Sequence, residues 1–148
     1  VHLPNSPVIA TGKRDGSKIR LPNGNYLEET ASYFVMVETK TGGFTPALIT
    51  MKSTQLNVSK KWNSMMKALP KVKNKSGIYV SQPSFFNVYN LTTANESNSK
   101  GSWTSWIINH AGAVENELTL KTASEFYKTC RQGVEVKHEA EETVPFEV

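Results

Sequence analysis

Lys71, Lys73 and Lys75 recur at every second position, and Tyr79 follows four residues later. Mobile ammonium groups spaced this way can follow a flexible phosphate backbone without reading its sequence. A flat ring close by offers a surface on which a base can stack. Three lysines on a loop are, by themselves, an ordinary solvated loop, and the surrounding chain is what changes their meaning. From Thr39 to Asn95, fifty-seven residues carry Lys40, Lys52, Lys60, Lys61, Lys67, Lys71, Lys73 and Lys75 with no Asp or Glu. Ordinary surfaces intersperse both signs, so a stretch this one-sided points to a polyanionic partner. Six aromatics lie within it: Phe44, Trp62, Tyr79, Phe85, Phe86 and Tyr89. Lysines interleaved with rings are the two ingredients of single-stranded nucleic-acid binding.

Side-chain alternation divides these rings between a base platform and the core. Phe85 and Tyr89 are expected to share one strand face with Asn87, and Phe86 and Val88 the more apolar face. Trp103, beside Lys100 and Gly101, is expected to be exposed and Trp106 to be core. Trp62 falls on the apolar stripe of a helix and is read as core. The nucleic-acid-binding set is therefore Lys52, Lys60, Lys61, Lys71, Lys73, Lys75, Tyr79, Phe85, Tyr89, Lys100 and Trp103. Within it, Lys52, Lys60 and Lys61 would lie far from a ligand if their helix packs across the bottom of a barrel.

Catalytic chemistry finds little support. His2, His110 and His138 have no metal-ligand spacing, and Asp15 is the only aspartate, so a Mg²⁺ site would rest on scattered glutamates. Glu115 and Glu117 read as a solvated loop, and no Walker-type glycine loop, nucleophile elbow or Cys-His arrangement is present. We expect no enzyme activity, no metal and no cofactor.

The net charge of +4 conceals a division. Residues 1–134 hold sixteen Lys or Arg against eight acids, +8, whereas residues 135–148 hold Lys137 against five Glu, −4. Cys130 is the only cysteine, which excludes an internal disulfide and a thiolate zinc cluster and fits a reducing compartment. No apolar run approaches the roughly 20 residues of a membrane span. VHLPNSPVIA lacks the features of a secretory signal, and with Val1 in first place a processed start or one lying upstream is the expectation.

The elements expected to position these residues begin with an N-terminal arm and a strand over Lys18–Leu21, before the turn Pro22–Asn25. Tyr33–Val37 and Phe44–Met51, joined across Thr41-Gly42-Gly43, predict a hairpin. Leu56, Ser59, Trp62, Met66 and Leu69 fall at helical spacing, with Ser53 or Thr54 as cap, Pro70 as stop, and Lys60, Lys61 and Lys67 largely off the stripe. Strand character returns at Ile78–Val80 and Phe85–Thr93, interrupted at Pro83. A polar loop over Ala94–Gly101 precedes a strand from Ser102 to His110, and Thr119–Gln132 predicts a last helix capped by Gly133. This is a mainly β, α+β chain in the order of an OB-fold: a five-stranded antiparallel barrel with a helix between strands three and four, plus a C-terminal helix. Residues 1–134 form one domain with its N-terminal arm, and residues 135–148 a flexible acidic tail.

PALITMKSTQLNVSKKWNSMMKAL, residues 46–69, and NESNSKGSWTSW, residues 95–106, resemble the single-stranded DNA-binding proteins of tailed bacteriophages, a diverse OB-fold group often ending in an acidic tail. The likeness covers about residues 30–134 in layout. It implies a protein of the infected bacterium's cytoplasm that coats DNA during phage replication and recombination. Residues 135–148 would then recruit replication proteins or compete for the empty DNA groove. This tail departs from the commonest pattern: it is Glu-based, contains no Asp, and ends Pro145-Phe146-Glu147-Val148 without a terminal aromatic. Two other classes stay open. One is a protein-interaction or virion-associated module whose lysines meet an acidic protein. The other is an RNA or duplex binder, although the longest helix bears lysine and no Arg, unlike the usual duplex-reading helix.

Overall fold

A computed structural model describes residues 2–133. A short helix, α1 (Pro7–Ala10), precedes three strands, β1 (Lys13–Asp15), β2 (Lys18–Arg20) and β3 (Tyr26–Glu28), which pair in that order as an antiparallel meander. The expected arm is thus itself a small sheet. The turn at Pro22–Asn25 forms where predicted, with Leu21 N–H donating to Asn25 O at 2.7 Å.

β4 (Thr30–Glu38) and β5 (Phe44–Lys52) make the expected hairpin, in register from Thr30 opposite Lys52 to Glu38 opposite Phe44. α2 (Gln55–Ala68) follows and stops before Pro70, as its sequence requires. Its N-cap is Thr54, which makes no side-chain capping bond. β6 (Val72–Lys73) and β7 (Tyr79–Val80) then pair with each other as a miniature hairpin. A 3₁₀ turn (Ser84–Phe86) leads into β8 (Asn87–Asn98) and β9 (Gly101–Ala113), which form one long hairpin with a bulge at Val88/Tyr89. α3 (Glu117–Arg131) closes the described chain. Asn116 caps it by accepting from Thr119 N–H at 3.0 Å, and Gly133 takes φ +96° beyond its end, the left-handed geometry that favours glycine.

Two expectations are corrected. Phe85 lies in the 3₁₀ turn and not in a strand, so it shares no face with Tyr89. The segment Ala94–Gly101 is mostly ladder, because β8 runs on to Asn98 and turns only at Ser99-Lys100, where Asn98 Oδ1 accepts from Lys100 N–H at 2.8 Å. Asn and Ser in this stretch are polar enough to resemble a loop, yet the cross-strand pairs Glu96/Trp103 and Asn95/Thr104 hold it extended.

The described strands form four small antiparallel sheets, and none closes into a barrel. A local reason lies at the outer edge of β9. Gln55 of α2 donates through Nε2 to Thr104 O at 2.6 Å, and its Oε1 accepts from Trp106 N–H at 3.3 Å. One side-chain amide therefore satisfies backbone groups that a neighbouring strand would need. Proline at position 46 further removes a donor from β5.

α2 packs between the two long hairpins and organises the core, where Met51 is fully buried and Trp62 is 5 % exposed. Tyr33 of β4 stacks on Trp62 with centroids 4.5 Å apart, and Trp62 meets Tyr89 of β8 edge-on at 5.6 Å. Ser59, one helical turn from Trp62, is buried because the Tyr33 hydroxyl bonds it.

Candidate nucleic-acid interface

The β6–β7 hairpin gathers the most informative part of the predicted set. Val72 pairs with Val80 and Lys73 with Tyr79, while Lys71 and Lys75 flank the short ladder. Asn74 builds the turn: its Oδ1 accepts from Ser76 N–H and Ile78 N–H, each at 3.0 Å, and Gly77 supplies φ +76°. Lys73 Nζ lies 5.2 Å from the centroid of the Tyr79 ring, within cation–π range. That ring is 62 % exposed, as is Ile78, and all three lysines are exposed. The lysines and the tyrosine predicted from spacing are therefore brought together on one turn.

A polar relay anchors both ends of this hairpin. Gln82, just after β7, donates from Nε2 to Pro70 O at 2.7 Å, and its Oε1 accepts from Asn87 Nδ2 at 2.7 Å. Asn87 Oδ1 lies 2.8 Å from His110 Nε2. The hairpin stem is thereby tied to β8 and β9 while its tip stays in solvent.

Lys60 and Lys61 lie on exposed positions of α2, away from Trp62 and Ser59, as amphipathic spacing predicts. Lys52 stands 3.9 Å from Glu28, the only ion pair among the described residues. Lys60, Lys61, Lys71, Lys73, Lys75 and Lys100 consequently have no acidic partner among the described residues, which leaves their charge available to a polyanion.

The remaining rings have other surroundings. Tyr89 is half-buried between Trp62 and His110, whose ring centroid is 5.5 Å away, and burial raises its phenol pKa. Phe85 packs on Phe86 and, at 5.1 Å, on Tyr127 of α3. Trp103 and Trp106 are both half-buried, so the expected division into one exposed and one core tryptophan does not appear. Trp103 donates from Nε1 to Glu96 Oε2 at 3.1 Å, which sets a carboxylate beside that ring.

Sequence spacing missed a second basic-aromatic pair. Arg20 lies 5.8 Å from the Tyr26 ring centroid on the β1–β3 sheet, where Lys13, Arg20 and Tyr26 stand in one register row. Tyr26 is 49 % exposed and donates to Asp15 Oδ2 at 3.2 Å, a bond that raises its pKa. The signal lay in the alternation of Lys18-Ile19-Arg20 and Tyr26-Leu27-Glu28, hidden because the segment reads as an arm.

No cluster of metal-ligating side chains occurs among the described residues, and no described helix is long and apolar enough to cross a membrane. The acidic segment 135–148 lies outside the described residues.

By comparison with known families, this mainly β chain is a bacteriophage protein. It belongs to the Pam3 phage gp34-like protein family, whose model matches residues 2–136. No curated protein and no solved structure matches the chain.

Proposed function

We propose that this phage protein binds single-stranded DNA without sequence preference and coats it during replication and recombination in the host cytoplasm. The β6–β7 hairpin carries the proposal: Lys71, Lys73 and Lys75, without an acidic partner among the described residues, surround an exposed Tyr79 ring that Lys73 already covers. A phosphate backbone running past the lysines would leave a base free to stack on Tyr79, a sequence-tolerant mode because every base has a flat face. The mode needs side chains on a hairpin and does not need a closed five-stranded OB barrel. The protein acts by binding alone, with no catalytic step or cofactor, and residues 135–148 serve to compete for the site or to contact replication proteins.

Fluorescence titration with oligo-dT, duplex DNA and RNA at two salt concentrations tests this. Oligo-dT should bind most tightly and weaken steeply with salt. Duplex binding of equal or greater strength would sink the proposal.

A second role, as a protein-interaction or virion-associated module, is favoured by one observation: Phe34 and Phe44 of the β4–β5 hairpin are 41 % and 37 % exposed. In that case oligo-dT would not bind and the lysines would meet an acidic protein.

A further inference from the structure

The β4–β5 hairpin has two faces with different neighbours. Ala31, Tyr33 and Val35 stand opposite Met51, Ile49 and Ala47 on the face that meets α2, as the Tyr33–Ser59 bond and the complete burial of Met51 show. Alternation places Phe34, Met36, Phe44, Pro46 and Leu48 on the other face, with Phe34 directly opposite Leu48 and Met36 opposite Pro46. This is a continuous apolar strip in the middle of the hairpin. Its ends are polar: Glu38 stands at the turn, and Ser32, Thr50 and Lys52 at the far end. An apolar centre inside a polar rim is the anatomy of a protein interface.

We infer that this face is a two-fold interface with a second copy of the same chain. The charges favour a copy of itself as occupant. With a two-fold axis across the strands, the Glu38 end of each hairpin lies over the Lys52 end of its partner, and the Lys52 side chain, 3.9 Å from Glu28 of its own chain yet 64 % exposed, can be shared between the two carboxylates. No lysine lies in the centre of the strip, so it is ill suited to DNA.

The interface does not depend on the DNA-binding proposal, and its test is made without nucleic acid, which could itself hold two copies together. Sedimentation equilibrium of the full chain at micromolar concentrations should give twice 16.4 kDa. Phe34→Glu should weaken the dimer roughly tenfold or more while leaving the circular dichroism spectrum unchanged. Should that variant fail to fold, Phe34→Cys in a Cys130→Ser background decides, because position 34 lies midway between the Glu38 and Lys52 ends and so on the two-fold axis: mild oxidation should join two copies through a disulfide at position 34, whereas Lys75→Cys in the same background should not. A wild-type chain that stays monomeric overturns the inference. So does a dimer that is indifferent to Phe34→Glu, or one that does not cross-link at position 34.

Discussion

The Tyr33 hydroxyl lies 2.6 Å from Ser59 Oγ and 3.1 Å from Asn63 Oδ1, joining β4 to the face of α2 that also buries Trp62. A serine in a helix interior 3 % exposed would be a liability without that partner. Tyr89, on the opposite side of Trp62, has a buried hydroxyl with no protein partner among the described residues. Two tyrosines flanking one tryptophan thus have different tasks.

Tyr33→Phe should destabilise the fold by about 1 to 3 kcal/mol, because it leaves Ser59 unsatisfied, whereas Tyr89→Phe should cost less than about 1 kcal/mol, because it orphans no protein group. Urea unfolding followed by tryptophan fluorescence compares the two. Equal losses would show that the shared ring contacts, not the Tyr33 hydroxyl, hold α2 in place.

The same ring sets an alkaline limit. Burial raises the Tyr89 pKa, so the neutral phenol is favoured in the fold. The resulting stability is present below the ordinary tyrosine value of about 10 and is lost as pH rises through the higher folded value. Thermal stability should fall above about pH 10 and fall less in Tyr89→Phe. Cys130 is shifted the same way by burial, and Cys130→Ser separates its share. A Tyr89→Phe profile that overlays the wild type would remove Tyr89 from this account.

Charge and stacking on the β6–β7 hairpin should separate in salt titrations. Replacing Lys71, Lys73 and Lys75 together by Gln should lower the slope of log K against log salt by about 2, at roughly 0.7 per phosphate contact. Tyr79→Ala should weaken binding by about 1 to 3 kcal/mol and leave the slope in place. If the slope drops equally in both variants, Tyr79 acts only by placing Lys73.

Asn87 lies behind the hairpin and acts at a distance. Asn87→Leu breaks the relay from His110 to Gln82, and the freed hairpin should bind oligo-dT several-fold more weakly at an unchanged salt slope, with protease cutting faster between residues 71 and 80. Unchanged cutting would show that the Gln82–Pro70 bond alone holds the stem.

Removing residues 135–148 should tighten DNA binding, most at low salt. A tethered anionic segment competes at roughly millimolar effective concentration, and its attraction to the basic body is least screened there. Affinity unchanged at every salt concentration would leave the segment to protein contacts or solubility.

Local chemistry made the first hairpin, α2, α3 and its glycine end legible, because period and caps depend on near neighbours: Tyr33-Phe34-Val35 reads as strand and Leu56-Ser59-Trp62-Met66 as helix in any context. The basic hairpin was legible as composition, from Lys71, Lys73, Lys75 and Tyr79. Sequence alone also showed the acid-free run and the charge division between residues 1–134 and 135–148. Pairing was not legible. Whether β8 ended at Thr93 or ran to Asn98 depended on cross-strand partners such as Trp103, and what takes up the outer edge of β9 depended on Gln55 reaching it from forty-nine residues away. Those outcomes are decided by contacts distant in the chain, which no window of sequence contains, and so the tertiary structure alone determined which rings face solvent and which were drawn in around Trp62.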